Sequence, residues 1–255
     1  MEPKIWVRHH FLRLIFVVTL LTLLPSCLVI NKPAKKVAAG DGSDSSNSSV
    51  SSCNTTCSAV ASPFGGGSGT SSCPYLICSA AQLGEIRNYS ASYLYYKLSS
   101  NIDLTGGANW FAPITTFNGQ LEGNSKTISN WSYSAAGTDA IALFKFVPDN
   151  STSVIQNLTL DSFTVTGRDY VGALLGASFT NAIFAFAGTI TNVAVSGANL
   201  TGRDYVGGVL GVATGQTYSY LSFSGTISAR KFGGGIAGVA ASQTTGYYAH
   251  FAISN

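Results

Sequence analysis

The sequence predicts an all-β chain that winds into a right-handed parallel β-helix, a β-solenoid, with a short capping helix at its N-terminal side. Three observations predict this fold. The segment Thr166–Gly176 recurs as Thr201–Gly211, 35 positions later, and a third copy begins at Arg230. An apolar strand precedes each copy, and the chain holds 28 Gly and only 10% charged residues. Strand, turn and Gly-rich strand at a near-constant period are typical of solenoids, in which each repeat contacts only its neighbours.

Residues 1–26 are typical of an export signal. Basic residues, including Lys4 and Arg8, precede the apolar run Leu14–Leu24, which has the length of a signal-peptide core. An ordinary cleaved signal and an uncleaved membrane anchor are the alternatives, although the run is short for a bilayer. The residues Leu24-Pro25-Ser26-Cys27 resemble the lipobox of bacterial lipoproteins. This resemblance implies lipidation of Cys27 and a lipid-anchored protein at the bacterial outer membrane or cell surface.

The stretch from Cys27 to residue 72 predicts a flexible tether. It is rich in small polar residues, as in Gly40–Ser49, and a second Gly-rich run covers Pro63–Gly69. Such composition favours a flexible coil that holds a folded domain away from the membrane.

Four cysteines, Cys53, Cys57, Cys73 and Cys78, are candidates for disulfide bonds. Export places them in an oxidising compartment, where an even number of cysteines predicts two bridges. Their spacing differs from that of zinc ribbons, and no metal site is expected. Three pairings remain open. Cys53–Cys57 with Cys73–Cys78 is the simplest, whereas crossed bridges would tie the tether more firmly to the domain.

Residues 73–154 are predicted to hold the cap and the first rungs. Ser79 and Gln82 form a capping-box pattern at the start of a helix that we expect to reach Arg87. The apolar runs Tyr93–Leu98 and Asn101–Leu104 predict strands next to that helix.

Residues 155–255 are predicted to form the repeat rungs. The strands Ile155–Leu160, Ile190–Val195 and Tyr218–Phe223 precede the three copies, and Tyr247–Ile253 starts a fourth that stops in mid-rung. Two positions in each copy carry large apolar side chains, and alternation along a strand places such side chains on one face. We therefore expect these residues to stack inside the solenoid: Tyr170, Leu174, Tyr205, Val209, Phe232 and Ile236.

Charged residues also recur. Asp169 and Asp204 hold equivalent positions, with arginines beside them, which predicts a solvated charge ladder at a turn. A catalytic or calcium-binding role is the weaker hypothesis, and no metal or cofactor is expected. Past residue 26 the chain has 11 basic and 10 acidic residues and lacks a basic stripe, so nucleic acid is excluded as a partner.

Tyrosines on the third strand are candidates for ligand binding. Tyr218 and Tyr220 alternate, which predicts that both rings lie on one face. Such rings can stack on sugars or anchor a protein partner, although packing is the simpler role.

The Gly-rich copies Tyr205–Gly211 and Gly234–Gly238 resemble the GLUG repeat of bacterial secreted and surface proteins. Phe117–Asn130 resembles the segment that commonly precedes those repeats, with Glu122 in place of Asp. The resemblance covers residues 75–255. It implies a right-handed parallel β-helix and adhesin-like or surface roles.

Together these features predict a cell-surface, lipid-anchored β-helix that binds ligands without catalysis. The alternatives are a β-helix enzyme acting on polysaccharide and an inactive fragment of a larger repeat protein. The expected partners are the membrane, through the lipid, and a glycan or a host or cell-surface protein. Self-association through the C-terminal edge of the β-helix is a further expectation.

Overall fold

The computed structural model of the protein describes residues 53–148, 152–177, 188–214 and 217–241. The export signal, Cys27, most of the tether and the strand expected at Tyr247–Ile253 lie outside the described residues.

The described residues form one short α-helix, one 3₁₀ turn and a series of strands, of which all but the first follow the helix. In chain order the described elements are β1 (Tyr75–Ile77), α1 (Ala80–Glu85), a 3₁₀ turn (Ile86–Asn88), β2 (Tyr95–Leu98), β3 (Ile102–Asp103), β4 (Ile114–Thr116), β5 (Gln120–Ser129), β6 (Ser132–Ser134), β7 (Phe144–Phe146), β8 (Val154–Asp161), β9 (Thr164–Thr166), β10 (Asp169–Val171), β11 (Leu175–Ala177), β12 (Thr189–Gly202), β13 (Asp204–Gly207), β14 (Leu210–Thr214), β15 (Thr217–Ala229), β16 (Gly233–Gly234) and β17 (Ala237–Ala241).

Within the described residues these strands form three parallel sheets. The largest has nine strands and runs from β1 through β2, β5, β8 and β12 to β15. The second is β10-β13-β16, and the third is β4-β7-β11-β14-β17. Each of the last three described rungs, which begin with β8, β12 and β15, therefore contributes at least one strand to each of the three sheets. The prediction of a parallel β-solenoid with a short helix near its N-terminal side is confirmed.

The predicted apolar strands lie in register with one another. Ile155 pairs with Ile190, which pairs with Tyr218, and Leu158, Val193 and Leu221 form the next such column. Ile155, Ile190, Leu158 and Val193 are almost completely buried. The side-chain columns of successive rungs therefore build one continuous core, as solenoid stacking requires.

Helix α1 closes the first rungs. Ser79 is its N-cap and accepts a hydrogen bond from the Gln82 backbone N–H at 3.4 Å, while Gln82 Oε1 accepts one from the Cys78 N–H at 2.9 Å. Leu83 and Ile86 are fully buried beneath the helix. The predicted capping pattern is present, but α1 ends at Glu85 and continues as the 3₁₀ turn.

Two disulfides hold the loop before β1, one within the loop and one joining it to the residue that follows β1. They join Cys53 to Cys73 and Cys57 to Cys78, with Cα–Cα distances of 5.5 and 6.2 Å. These are crossed bridges, so the simplest pairing is wrong.

Residues 53–72 consequently differ from the tether predicted for them. Phe64 is buried and stacks on Tyr75 with ring centroids 4.4 Å apart. Gln82 Nε2 donates to the carbonyls of Ser58 and Ala61 at 2.7 and 2.9 Å. The glycines around Phe64 suggested flexibility, but the bridges and this aromatic contact hold the loop against the first rung.

Candidate binding cleft and the charged corner

One corner of the solenoid is joined by ion pairs between successive rungs. Each aspartate accepts hydrogen bonds from the arginine of the next rung. The Nε atoms of Arg168 and Arg203 donate to Asp139 and Asp169 at 2.6 and 2.9 Å, and Arg230 Nη2 donates to Asp204 at 2.7 Å. The three pairs form a ladder along the solenoid axis.

The carboxylates of this ladder are less exposed than predicted. Asp169 and Asp204 are only 8% and 6% exposed, and Asp169 Oδ1 also accepts the backbone N–H of Asp204 at 3.2 Å. The arginine side chains remain about half exposed. The expectation of a solvated ladder is therefore wrong for the carboxylates of Asp169 and Asp204, whereas the arginines are solvated as expected. Asp139 and Asp169 also accept a backbone N–H of the next rung.

Hydrogen bonds from arginines favour the ionised form of Asp139 and Asp204. The hydrogen bonds from Arg168 lower the pKa of Asp139 below its ordinary value, and those from Arg230 lower the pKa of Asp204. A carboxyl with a lowered pKa that is already bound to arginine is poorly suited to general-acid chemistry. The observed role of the ladder is to link successive rungs.

An aromatic column runs beside the ladder. The rings of Tyr170 and Tyr205 stack at 5.2 Å, and those of Tyr205 and Phe232 at 5.0 Å, with interplanar angles of 10° and 11°. We expected these three rings inside the solenoid, yet Tyr170 and Tyr205 are only partly buried and Phe232 is 49% exposed. The backbone at Tyr170 and Tyr205 has φ of 60°, and this local turn brings the following valines, Val171 and Val206, into the core instead.

The second set of predicted core positions lies inside. Leu174 and Val209 are completely buried. Ile236, in the last described rung, is partly buried and packs against the main core.

Tyr218 and Tyr220 do not share a face. The Tyr218 hydroxyl donates to the Thr214 carbonyl at 3.0 Å, and burial raises the pKa of this tyrosine. Tyr220 is 78% exposed and has φ of 52°. It continues a column that contains Asn157 and Asn192, both of which also have positive φ. The expectation of a shared face is therefore wrong, and ligand binding by Tyr218 or Tyr220 stays a prediction.

A shallow cleft lies on the outer face of the largest sheet, next to the disulfide-bonded loop. Its volume is about 350 Å³. Strands β2, β5 and β8 form its floor, and Ser71 and Pro74 of the loop form a wall. The floor consists of two rows of half-buried side chains, which are Tyr95, Gln120 and Val154 in one row and Lys97, Glu122 and Gln156 in the other.

The carboxylate in the cleft is fully hydrogen-bonded. Glu122 Oε1 accepts the Asn124 backbone N–H at 2.6 Å, and Oε2 accepts Gln156 Nε2 at 2.8 Å. Asn157 Nδ2 donates to both oxygens, at 3.1 and 3.0 Å. Three amide groups therefore fix Glu122, whereas Lys97 has no hydrogen-bond or ion-pair partner among the described residues.

Sequence reasoning did not identify this cleft. The available signal was the alternation of Tyr95 and Lys97 with the buried Tyr96 and Leu98. That alternation marks an outward row, but the wall comes from a loop whose position depends on the disulfide pairing.

The described part of the chain contains no group of three or more His, Cys, Asp or Glu side chains arranged to hold a metal ion. None of its helices is long and apolar enough to span a membrane.

These features define a class, a disulfide-stapled parallel β-solenoid with a shallow polar cleft on its surface. No protein-family model matches the chain. The resemblance of Tyr205–Gly211 to the GLUG repeat therefore stays a prediction.

Comparison with known proteins gives partial relatives. Halomucin of Haloquadratum walsbyi is 41% identical over 120 residues, which are 44% of this chain and 1% of halomucin. A protein of Evansella cellulosilytica, described as a candidate Gly-rich membrane protein, is 36% identical over 131 residues, 48% of this chain and 15% of that protein. The chain thus spans only a small part of the length of either relative.

A solved structure is also similar. It is described as a candidate immunoglobulin A1 protease from Bacteroides ovatus, and the sequences are 20% identical. The TM-score is 0.46, over 70% of this chain and 65% of that one.

Proposed function

We propose that the protein is exported, held at a bacterial surface by a lipid on Cys27, and works by binding a ligand through its solenoid without catalysing a reaction. The cleft beside the disulfide-bonded loop is the observation that carries this proposal. An aromatic ring, a lysine and two glutamines line this cleft on the face of a sheet. Polar and aromatic groups held on a rigid sheet are suited to binding a ligand in one orientation.

Two observations support an extracytoplasmic location. Disulfides such as Cys53–Cys73 and Cys57–Cys78 form and persist in oxidising compartments. One partial relative is described as a membrane protein of the Gly-rich kind. Both agree with the export signal and lipobox expected at residues 1–27.

The roles of the carboxylates support binding without catalysis. Asp139, Asp169 and Asp204 are bound to arginines of the next rung. Glu122 is held by three amides, and Asp103 accepts bonds from Thr105 and Asn130. Glycan-cleaving enzymes need carboxylates that are available to a substrate. In this chain these five side chains hold the solenoid together.

The test is a binding survey with the full chain in mild detergent. We expect the protein to bind a defined subset of glycans, or of surface components, on arrays and on intact cells. Parallel incubations with the bound polysaccharides, followed by product analysis, should show no cleavage. Appearance of shortened products would replace the binding proposal with that of a β-helix enzyme, and absence of any binding would remove it.

A further inference from the structure

We infer that the cleft is a saccharide site specific for a sugar that carries a carboxylate, such as a uronic or sialic acid, and that Lys97 binds this carboxylate. The inference rests on the proposed binding function and names its site and ligand class.

The size and shape of the cleft suit a short saccharide. Its volume of about 350 Å³ lies near the lower end of the range for small-molecule sites. The Tyr95 N–H donates to the Gly69 carbonyl at 3.0 Å, which ties the loop that carries Ser71 to β2. The wall is therefore fixed in place, and a ligand meets a preformed surface.

Lys97 supplies the charge selectivity. Its side chain is half-buried on the cleft floor, opposite Glu122 in the parallel register. The oxygens of Glu122 are already bonded to three amide groups, and no described carboxylate pairs with Lys97. An ammonium without a protein partner is free to form a charge-assisted bond to an anionic ligand.

Amide oxygens in the cleft suit the hydroxyls of a sugar. Gln120 Nε2 donates to the Thr152 carbonyl at 2.7 Å, and Gln156 Nε2 donates to Glu122 at 2.8 Å. With their NH₂ groups held in this way, the two Oε1 atoms remain available as acceptors. Two neighbouring acceptors next to a cationic donor match a ring with hydroxyls and a carboxylate.

Tyr95 supplies the apolar contact. Its side chain lines the cleft half-buried, in the row that continues through Gln120 to Val154. Tyrosine presents a large rigid face at small entropic cost, and the C–H face of a pyranose packs well against such a ring. A peptide with an acidic side chain would also satisfy Lys97, but its N–H groups supply few of the hydroxyl donors that the glutamines accept. The whole set of groups therefore favours an acidic sugar.

The experiment compares matched sugars by titration calorimetry with the full chain in detergent. The pairs are the methyl ester of sialyllactose with sialyllactose, and cellobiose with cellobiouronic acid. We expect at least one acidic member to bind about tenfold more tightly than its neutral partner, the increment of one charge-assisted hydrogen bond. Lys97→Gln should remove this preference, and Tyr95→Leu should weaken both members of the pair.

Lys126→Gln is the matched control, because Lys126 is a half-buried lysine of β5 that does not line the cleft. It should leave the preference intact. Thermal melting of each variant checks that the fold is unchanged. An acid preference that survives Lys97→Gln, or an acidic peptide that binds as tightly as the acidic sugar, overturns the inference. If the native chain and Lys97→Gln bind the same array components equally well, only this inference is overturned. If the native chain binds no array component, the proposed function is overturned as well.

Discussion

Asp169 accepts hydrogen bonds from the Arg203 side chain and from the Asp204 backbone N–H, both of which lie one rung further along the solenoid. One buried carboxylate thus joins two rungs through side chain and main chain together. Arg203 in turn contacts Asp204 at 3.6 Å, so the neighbouring pairs of the ladder share charges.

Replacing Asp169 should destabilise the solenoid. Asp169→Ala removes the acceptor of a buried backbone N–H, and we expect the free energy of unfolding to fall by about 2 kcal/mol. Asp139→Ala is the matched control, because its side chain is 34% exposed where that of Asp169 is 11% exposed. Urea unfolding followed by circular dichroism measures both losses. A loss for Asp139→Ala as large as that for Asp169→Ala would contradict the role assigned to burial.

The ladder should make stability depend on acid pH. The pKa values of Asp139 and Asp204 are lowered in the folded chain, by Arg168 and Arg230 respectively. A lowered folded pKa means that the unfolded chain binds protons more readily, so this stabilisation is present above about pH 4, the ordinary Asp pKa, and is lost as pH falls through the folded pKa. Urea midpoints measured between about pH 7 and pH 2 should stay level at first and then drop. Asp204→Asn should show a shallower drop, and an unchanged drop would show that other groups cause it.

The crossed disulfides predict which thiol a cysteine substitution releases. In Cys53→Ala the bridge Cys57–Cys78 persists and Cys73 becomes a free thiol. Alkylation without reductant, followed by peptide mass spectrometry, should therefore label Cys73. Label on Cys57 would indicate the Cys53–Cys57 pairing, and label on Cys78 would indicate the third arrangement.

Close backbone packing should make Gly211 irreplaceable. A Cβ at this position would collide with the backbone of Gly176 and Tyr170 in the preceding rung. We expect Gly211→Ala to cost about 1–3 kcal/mol, the usual range for overpacking. Gly137→Ala is the control, since a Cβ there would meet nothing within 4 Å. Equal melting temperatures for the two variants would show that the rungs can separate to admit a methyl group.

Lipid anchoring predicts the behaviour of a Cys27 variant. Cys27→Ala removes the thiol that lipidation requires, so the protein should leave the membrane fraction and appear in the soluble extracytoplasmic fraction. Metabolic labelling with a fatty acid should mark the native chain and not the variant. Retention of Cys27→Ala in carbonate-washed membranes would instead indicate an uncleaved membrane anchor.

The solenoid was predictable because apolar residues recur at equivalent positions of successive repeats and stack in columns. The spacing of Ile155, Ile190 and Tyr218 indicates one column directly, and the structure pairs these residues. The capping pattern of Ser79 and Gln82 is equally local. Both inferences depend only on residue types at fixed spacings.

The surface features depended on backbone angles and long-range contacts that no spacing reveals. A tyrosine with positive φ is uncommon, so simple alternation placed Tyr170 and Tyr205 inside. The same positive φ at Tyr220 separates it from Tyr218. The cleft also needs Pro74 beside β2, and the parallel pairing of β1 with β2 that places it there was not part of the predicted strand set.

At the charged corner each arginine pairs with an aspartate of the preceding rung, and this arrangement determines how the repeat can be duplicated. Arg203 lies 34 positions after its partner Asp169 within a repeat of 35 positions. A tandem duplication of residues 167–201 would therefore supply a new Arg168 for the existing Asp169 and a new Asp169 for the existing Arg203. The added rung would leave no carboxylate unpaired and would lengthen the solenoid by about 4.8 Å, the spacing of adjacent strands. Genetic duplication of whole repeats is thus compatible with the electrostatics of the corner, whereas insertion of part of a repeat would break the pairing above it.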